Sequence, residues 1–155
     1  MKQDFPLQPL LEMRERDRDD AAAAVAGAQA EVTRLESTIR TLEAQRADLR
    51  TRQSAARSEL HADIGRLQRL DEYLRAMDVE IAEIAEQIDA HTDTLRQRRE
   101  VLRAAQGVLA DAQVAAQAVE QKRDAWRAEL RARAARAEEE AADEVGLRQW
   151  KQNNA

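Results

Sequence analysis

Apolar residues recur every three or four positions along most of the chain, which is the pattern of a helix with one buried face. With Val25 set at position a of a heptad, 20 of the 25 a and d sites between residues 25 and 109 are apolar. The phase does not slip over this length. Such a sustained seven-residue period predicts long helices that supercoil around a shared seam.

The seam is weakest between residues 46 and 63, where Gln53 and Asp63 occupy heptad core sites. Asp63 is suited to capping a following helix, because its carboxylate accepts backbone N–H groups. We therefore predict a hairpin turn at about residues 56–65, with His61 near its tip.

The predicted fold is all-α, with two long helices forming an antiparallel coiled-coil hairpin in a single domain. Helix 1 is expected at about residues 6–56 and helix 2 at about 65–148. Because helix 2 is longer, residues from about 112 to 148 are expected to overhang as an unpaired helix. Trp126 and Leu130 keep the apolar phase in this overhang, and an apolar stripe without an intrachain partner indicates an external one.

Two registers of the hairpin would pair every a site with a d site. In the first, Leu35 faces Ile81 and Arg18 faces Arg98. In the second, which is shifted by one heptad, Val25 faces Arg98. Either register places polar residues in the seam, and the sequence leaves the choice between them open.

Composition supports the helical class and excludes several others. Charged residues make up 35% of the chain and aromatic residues 3%, with four glycines and two prolines, so a compact globular core lacks both its side chains and its turns. The net charge of −5 disfavours general nucleic-acid binding, which requires phosphate neutralisation by basic residues. Without cysteine, disulfides and thiolate zinc sites are excluded.

No stretch has the length and apolar character of a membrane span, and the first residues do not have the pattern of a signal peptide. We therefore expect a cytoplasmic protein that is peripheral to a membrane at most.

Catalytic chemistry is not indicated. The glycines are isolated, so no phosphate-binding loop is predicted. Asp89, His91 and Asp93 are two residues apart on a helix and therefore point to different faces, which disfavours a metal site. His91 is better interpreted as a seam residue. We expect a protein that is not an enzyme and has no cofactor or metal.

Charge is segregated toward the C-terminus. Residues 122–136 contain six basic and two acidic residues, whereas residues 138–144 contain five acidic and no basic ones. Both a charged partner surface and a plain solvated face are compatible with this pattern.

Three segments resemble the FliJ family of flagellar type III export proteins. They are FPLQPLLEMRE at residues 5–15, followed by an alanine-rich helix, YLRAMDVEI at 73–81, and DEVGLR at 143–148. The resemblance spans nearly the whole chain. The YscO-like stalk of injectisomes is a close relative, and the segments do not separate a flagellar from an injectisome system.

The resemblance implies a coiled coil similar in shape to the central rotor subunit of rotary ATPases. Its terminal end would bind the hexameric export ATPase, and its other end the cytoplasmic domain of the membrane export gate, with export chaperones as further partners. The implied gate contacts are Tyr73 and Met77. The implied ATPase contacts are Leu7, Leu10, Leu11, Trp126, Arg127, Leu130, Arg131 and Arg133.

Two other functions stay open from the sequence. One is a structural or scaffold coiled coil that self-associates through the overhang. The other is a helical hairpin that binds export chaperones or holds unfolded clients. A stalk is expected to be largely monomeric alone, whereas a scaffold is expected to dimerise tightly.

Overall fold

The computed structural model describes residues 3–58 and 64–155, and these ranges form two helices. Helix α1 spans Gln8–Ser58 with 51 residues, and α2 spans Ile64–Asn153 with 90 residues. The contacts between them are those of a helical hairpin with a longer second helix, which confirms the predicted fold class. Residues 1–2 and 59–63 lie outside the described ranges, and with them the predicted His61 tip and Asp63 cap. Of the turn predicted at about 56–65, residues 56–58 belong to α1 and residues 64–65 to α2, and the rest lies outside the described ranges.

The absence of proline after Pro9 explains why neither helix is interrupted, since an internal proline removes a backbone hydrogen bond and clashes with the preceding turn. Pro9 itself lies in the first turn of α1, where its missing N–H costs nothing. Each helix carries a basic residue in its last turn, Arg57 in α1 and Lys151 in α2, and this placement suits the negative end of the helix dipole.

Contacts divide the chain into two compact units, each built from part of α1 and part of α2. Unit 1 comprises Met1–Ala21 and Val108–Ala155, and unit 2 comprises Ala22–Gly107. In unit 2, Val32, Leu35 and Leu95 form a buried cluster. All three are predicted a or d sites, so the seven-residue stripe is the face that the helices bury. Ile39 and Leu102 pack against this cluster.

Both predicted registers are wrong. Leu35 lies with Leu95, which is one heptad beyond the position given by the second register and two beyond Ile81. Arg18 pairs with Glu120, at 3.6 Å, rather than lying opposite Arg98. A shift by a whole heptad leaves the apolar pattern unchanged, so the apolar sites alone cannot select one register.

Polar contacts across unit 2 favour the observed register. Gln53 is buried at a seam position and donates a hydrogen bond to Asp78. Arg99 forms a salt bridge with Glu36, with 3.3 Å between Nη2 and Oε1. A heptad slip would separate both pairs and leave the buried Gln53 amide without this acceptor, which is costly in a dry seam. Gln53 therefore lies in a part of α1 that is paired with α2, although the heptad pattern predicted the seam to be weakest there.

Most other ion pairs lie within one helix on its exposed face and add only a few tenths of a kcal/mol each. The shortest include Arg34 to Glu31, at 2.6 Å. The hydrogen bond from Arg34 lowers the pKa of the Glu31 carboxyl below its ordinary value, and the same bond raises the pKa of Arg34.

Cysteine cross-linking tests the register directly, because the natural chain contains no cysteine. We expect a Leu35→Cys/Leu95→Cys protein to be joined rapidly by a short bis-maleimide. The control, Leu35→Cys/Ile81→Cys, places its thiols about 21 Å apart along the seam and is expected to stay unlinked. Intramolecular linkage is read as a mobility shift on a denaturing gel. Preferential linkage of the control pair would contradict the observed register.

Candidate protein-binding end of unit 1

The candidate site lies where the N-terminal residues meet α2. Before α1 begins, Phe5-Pro6-Leu7-Gln8 forms a turn closed by a hydrogen bond from the Gln8 N–H to the Phe5 carbonyl, at 3.0 Å. Pro6 occupies the second position of this turn, where its fixed φ angle is favourable. The turn leads into α1 through a further bond from the Leu11 N–H to the Leu7 carbonyl, at 2.9 Å. Phe5 is thereby held close to the start of the helix.

Phe5, Leu11 and Val119 form the buried cluster of this end, and Leu10 and Trp126 pack against it. The rings of Phe5 and Trp126 lie 5.6 Å apart between centroids at an interplanar angle of 53°. A tilted pair at this distance is a favourable aromatic arrangement. The chain has four aromatic residues, so this pair contributes a large share of the apolar area available at this end.

Phe5 is the residue of this site that the seam pattern did not identify. It precedes α1 and lies outside the heptad phase, so periodicity gives no signal for it. The usable signal is local. An aromatic residue directly before a proline-containing helix start is placed to pack back onto the first turns, as in a hydrophobic staple.

The predicted overhang begins too early. Ala116 and Val119 are buried, and Trp126 packs against Phe5, so α2 has partners well beyond residue 112. From residue 131 to the C-terminus every residue is exposed. The unpartnered part of α2 within unit 1 is therefore residues 131–153, and the apolar stripe assigned to the overhang is mostly seam.

A groove of about 780 Å³ opens beside the aromatic pair. Its walls combine apolar side chains with carboxylates and one guanidinium. The lining residues are Gln3, Asp4, Phe5, Gln8, Pro9, Glu12, Trp126, Arg127 and Leu130.

The eight residues implied as ATPase contacts all lie in unit 1, but they fall into two groups. Leu11 is 1% exposed and belongs to the core of the unit, while Leu10, Trp126 and Leu130 are half-buried. The other four are exposed and available to a partner: Leu7, Arg127, Arg131 and Arg133. Among the implied contacts, the exposed residues are thus three arginines and one leucine, next to the apolar cluster of the unit.

Several charged groups in this unit have defined neighbours. Arg133 donates to Glu129 one turn earlier, at 2.6 Å. Arg123 lies at a seam position, and its Nε is shielded from solvent without a hydrogen-bond partner, although it lies 3.6 Å from the Asp124 carboxylate. Arg127 and Arg131 project from the exposed surface of α2.

The two residues implied as gate contacts lie in unit 2 and differ in accessibility. Tyr73 is 49% exposed, whereas Met77 is 5% exposed and occupies a seam position. Met77 therefore packs between the helices, and Tyr73 is the one that presents a surface to solvent. His91 is half-buried, also at a seam position.

Within residues 3–58 and 64–155, no group of three or more His, Cys, Asp or Glu side chains is arranged to hold a metal ion. Across the same ranges, neither helix has an apolar stretch sufficient to cross a membrane.

The two tryptophans report on this geometry separately. In a Trp150→Phe protein the remaining Trp126 is expected to emit at shorter wavelength, because it packs against Phe5. In a Trp126→Phe protein the remaining Trp150, 63% exposed, is expected to emit near the wavelength of free tryptophan and to be quenched more strongly by iodide. Equal quenching of the two would contradict the packing described for Trp126.

Comparison with known proteins gives one family. No curated protein and no solved structure gives a significant match to the chain. The model of the family described as flagellar FliJ protein matches residues 1–155. Because this match covers the whole chain, the protein belongs to the FliJ family, whose members are components of flagellar protein export.

Proposed function

We propose that this protein is the non-enzymatic central stalk of the flagellar type III export apparatus. In this role it binds the hexameric export ATPase through the end of unit 1 and the membrane export gate through unit 2, in the cytoplasm at the inner membrane. The observation that carries the proposal is the exposed helix at residues 131–153, which continues α2 beyond its last contacts with α1. Family membership supplies the system in which such a helix would act.

A single projecting helix suits the pore of a protein ring, because it is about 10–12 Å wide with its side chains and needs no partner to satisfy its backbone. Its side chains then make every contact. Arg127, Arg131 and Arg133 are exposed at the base of this helix. Guanidinium groups bind carboxylates in planar, two-bonded geometry, so acidic pore loops are the partner chemistry that these residues fit.

The buried residues of the same end have a supporting role in this proposal. Leu11 and Phe5 fix α1 against Val119, so the N-terminal turn and α2 are presented together. Leu7, in the turn before α1, is then an apolar side chain available to a partner, since it is 38% exposed while Leu11 is enclosed. Leu10, Trp126 and Leu130 lie between these extremes; Trp126 and Leu130 line the groove, and Leu10 packs against the buried cluster.

Binding alone is sufficient for the proposed effect on the ATPase. A ligand that contacts several subunits of a closed ring binds the assembled ring better than free subunits, and mass action then favours assembly. If hydrolysis requires the ring, activity rises without any catalytic group from this chain. Coupling to the gate also requires binding alone, because two ligands bound to one protein can change each other's affinity through its conformation.

Steady-state ATP hydrolysis by the export ATPase, titrated with this protein, tests the unit 1 contact. Wild-type protein is expected to stimulate hydrolysis severalfold. An Arg131→Glu/Arg133→Glu variant is expected to lose most of this effect, because the reversed charges repel acidic loops. Both positions are exposed, so the fold is expected to be unaffected.

The matched control is Arg40→Glu/Arg50→Glu, which changes the net charge equally at exposed positions of unit 2. It is expected to stimulate hydrolysis like the wild type. Equal loss in both variants would indicate a general charge effect. No stimulation and no co-elution of wild-type protein with the ATPase would reject the proposed stalk in favour of a scaffold.

For the gate contact, Tyr73 is the proposed anchor. A half-exposed tyrosine offers a partner a rigid apolar ring and a hydroxyl group. Tyrosine is enriched among the few interface residues that contribute most of the binding energy. Met77 lies one turn away but is enclosed by the seam, so its proposed contribution is to hold the helix face that carries Tyr73.

Titration calorimetry with the cytoplasmic domain of the gate tests this assignment. Tyr73→Ala is expected to weaken binding about tenfold or more, which corresponds to more than ~1.4 kcal/mol, with little change in thermal stability. Met77→Ala is expected to lower stability by about 2–4 kcal/mol, because it leaves a cavity in the seam. Val101→Ala, at a similarly exposed apolar site, is the control and should alter neither quantity. Unchanged affinity in Tyr73→Ala would remove this residue from the gate contact.

A further inference from the structure

Residues 131–153 form a helix that packs against no other described part of unit 1. Most helical stability in proteins comes from packing of one face, and this segment lacks such packing within unit 1. The segment therefore has a face that can gain stability from a partner. Along it, apolar residues continue at helical spacing from the half-buried Leu130 through Ala134, Ala137 and Ala141 to the exposed Val145.

Charge divides this segment into two halves of opposite sign. The basic half contains Arg131, Arg133 and Arg136 and no acidic residue. The acidic half, residues 138–144, contains five carboxylates and no basic residue. Like charges four residues apart, such as Glu140 and Glu144, destabilise an isolated helix, so the acidic half gains from a cationic neighbour.

We infer that this segment pairs antiparallel with the same segment of a second copy of the chain. The antiparallel direction lays the basic half of each copy along the acidic half of the other, with the two-fold axis near Ala137 and Glu138. A parallel pair would place like charges together along its whole length. The apolar row that runs from Leu130 to Val145 then forms the line of contact, with Leu130 of one copy opposite Val145 of the other.

The expected dimer is weak and sensitive to salt. The paired segment from residue 130 to 145 is about 23 Å long, and most of its contact side chains are alanine, so the buried area is well below that of a stable dimer. Its charges are exposed, so screening shortens their reach from about 30 Å at 0.01 M salt to about 8 Å at 0.15 M. Dissociation at working concentrations would leave the helix free for another partner.

Sedimentation equilibrium of the full-length protein alone tests this inference, at low and high sodium chloride. Wild-type protein is expected to show a concentration-dependent monomer–dimer equilibrium that weakens about tenfold or more between the two conditions. Arg131→Glu/Arg133→Glu/Arg136→Glu makes both halves acidic, and Glu139→Arg/Glu140→Arg/Glu144→Arg makes both halves basic. Each variant is expected to sediment as a monomer.

The protein that combines all six substitutions exchanges the signs of the two halves and keeps the net charge of the wild type. It is expected to regain the dimer, while the control Arg40→Glu/Arg50→Glu dimerises like the wild type. A monomeric wild type at all concentrations overturns the inference, and so does a sixfold variant that stays monomeric. No ATPase or gate is present, so the result is independent of the proposed stalk function.

Discussion

The structure depends on one constraint, the burial of a seven-residue apolar row between α1 and α2. Within the described residues, the buried apolar side chains of α2 lie along this row. Most helical stability in proteins comes from packing of one face, so pairing along the row is what stabilises both helices. Leu35 and Leu95 in unit 2, and Leu11 and Val119 in unit 1, are instances of the same a-to-d packing.

This constraint also explains what could be predicted from the sequence. The period fixes which face of each helix is buried, so the fold class and the seam roles of Met77 and His91 followed from residue spacing. The register did not follow, because a shift by one heptad keeps every a site opposite a d site. Deciding it required the individual polar partners, Gln53 with Asp78 and Glu36 with Arg99, which periodicity does not identify.

The extent of the free helix at the candidate site was predicted with an error, whereas the binding residues themselves stay a prediction. The register error shortened the predicted overlap of the helices, so residues from 112 onward were assigned to an overhang that begins near residue 131. Phe5 was missed for a different reason, since it packs from a turn outside the helical phase. All eight implied contact residues came from the family resemblance. Seven of them retain at least partial exposure, and the exception is Leu11, which is enclosed.

Where the seam ends is itself encoded in the heptad. Beyond Leu130, the next core positions are Arg133, Ala137, Glu140 and Glu144, so a longer α1 would meet charged residues there instead of apolar ones. The apolar seam of α2 therefore ends near the residues that pack against the N-terminal turn. Beyond that point, most heptad core positions of α2 are charged. Apolar burial holds the two helices together at short range and is insensitive to salt, whereas the charged halves of the free segment act over longer distances and are screened. The partners proposed for this segment would thus be selected mainly by charge and direction, and their exchange would leave the seam undisturbed.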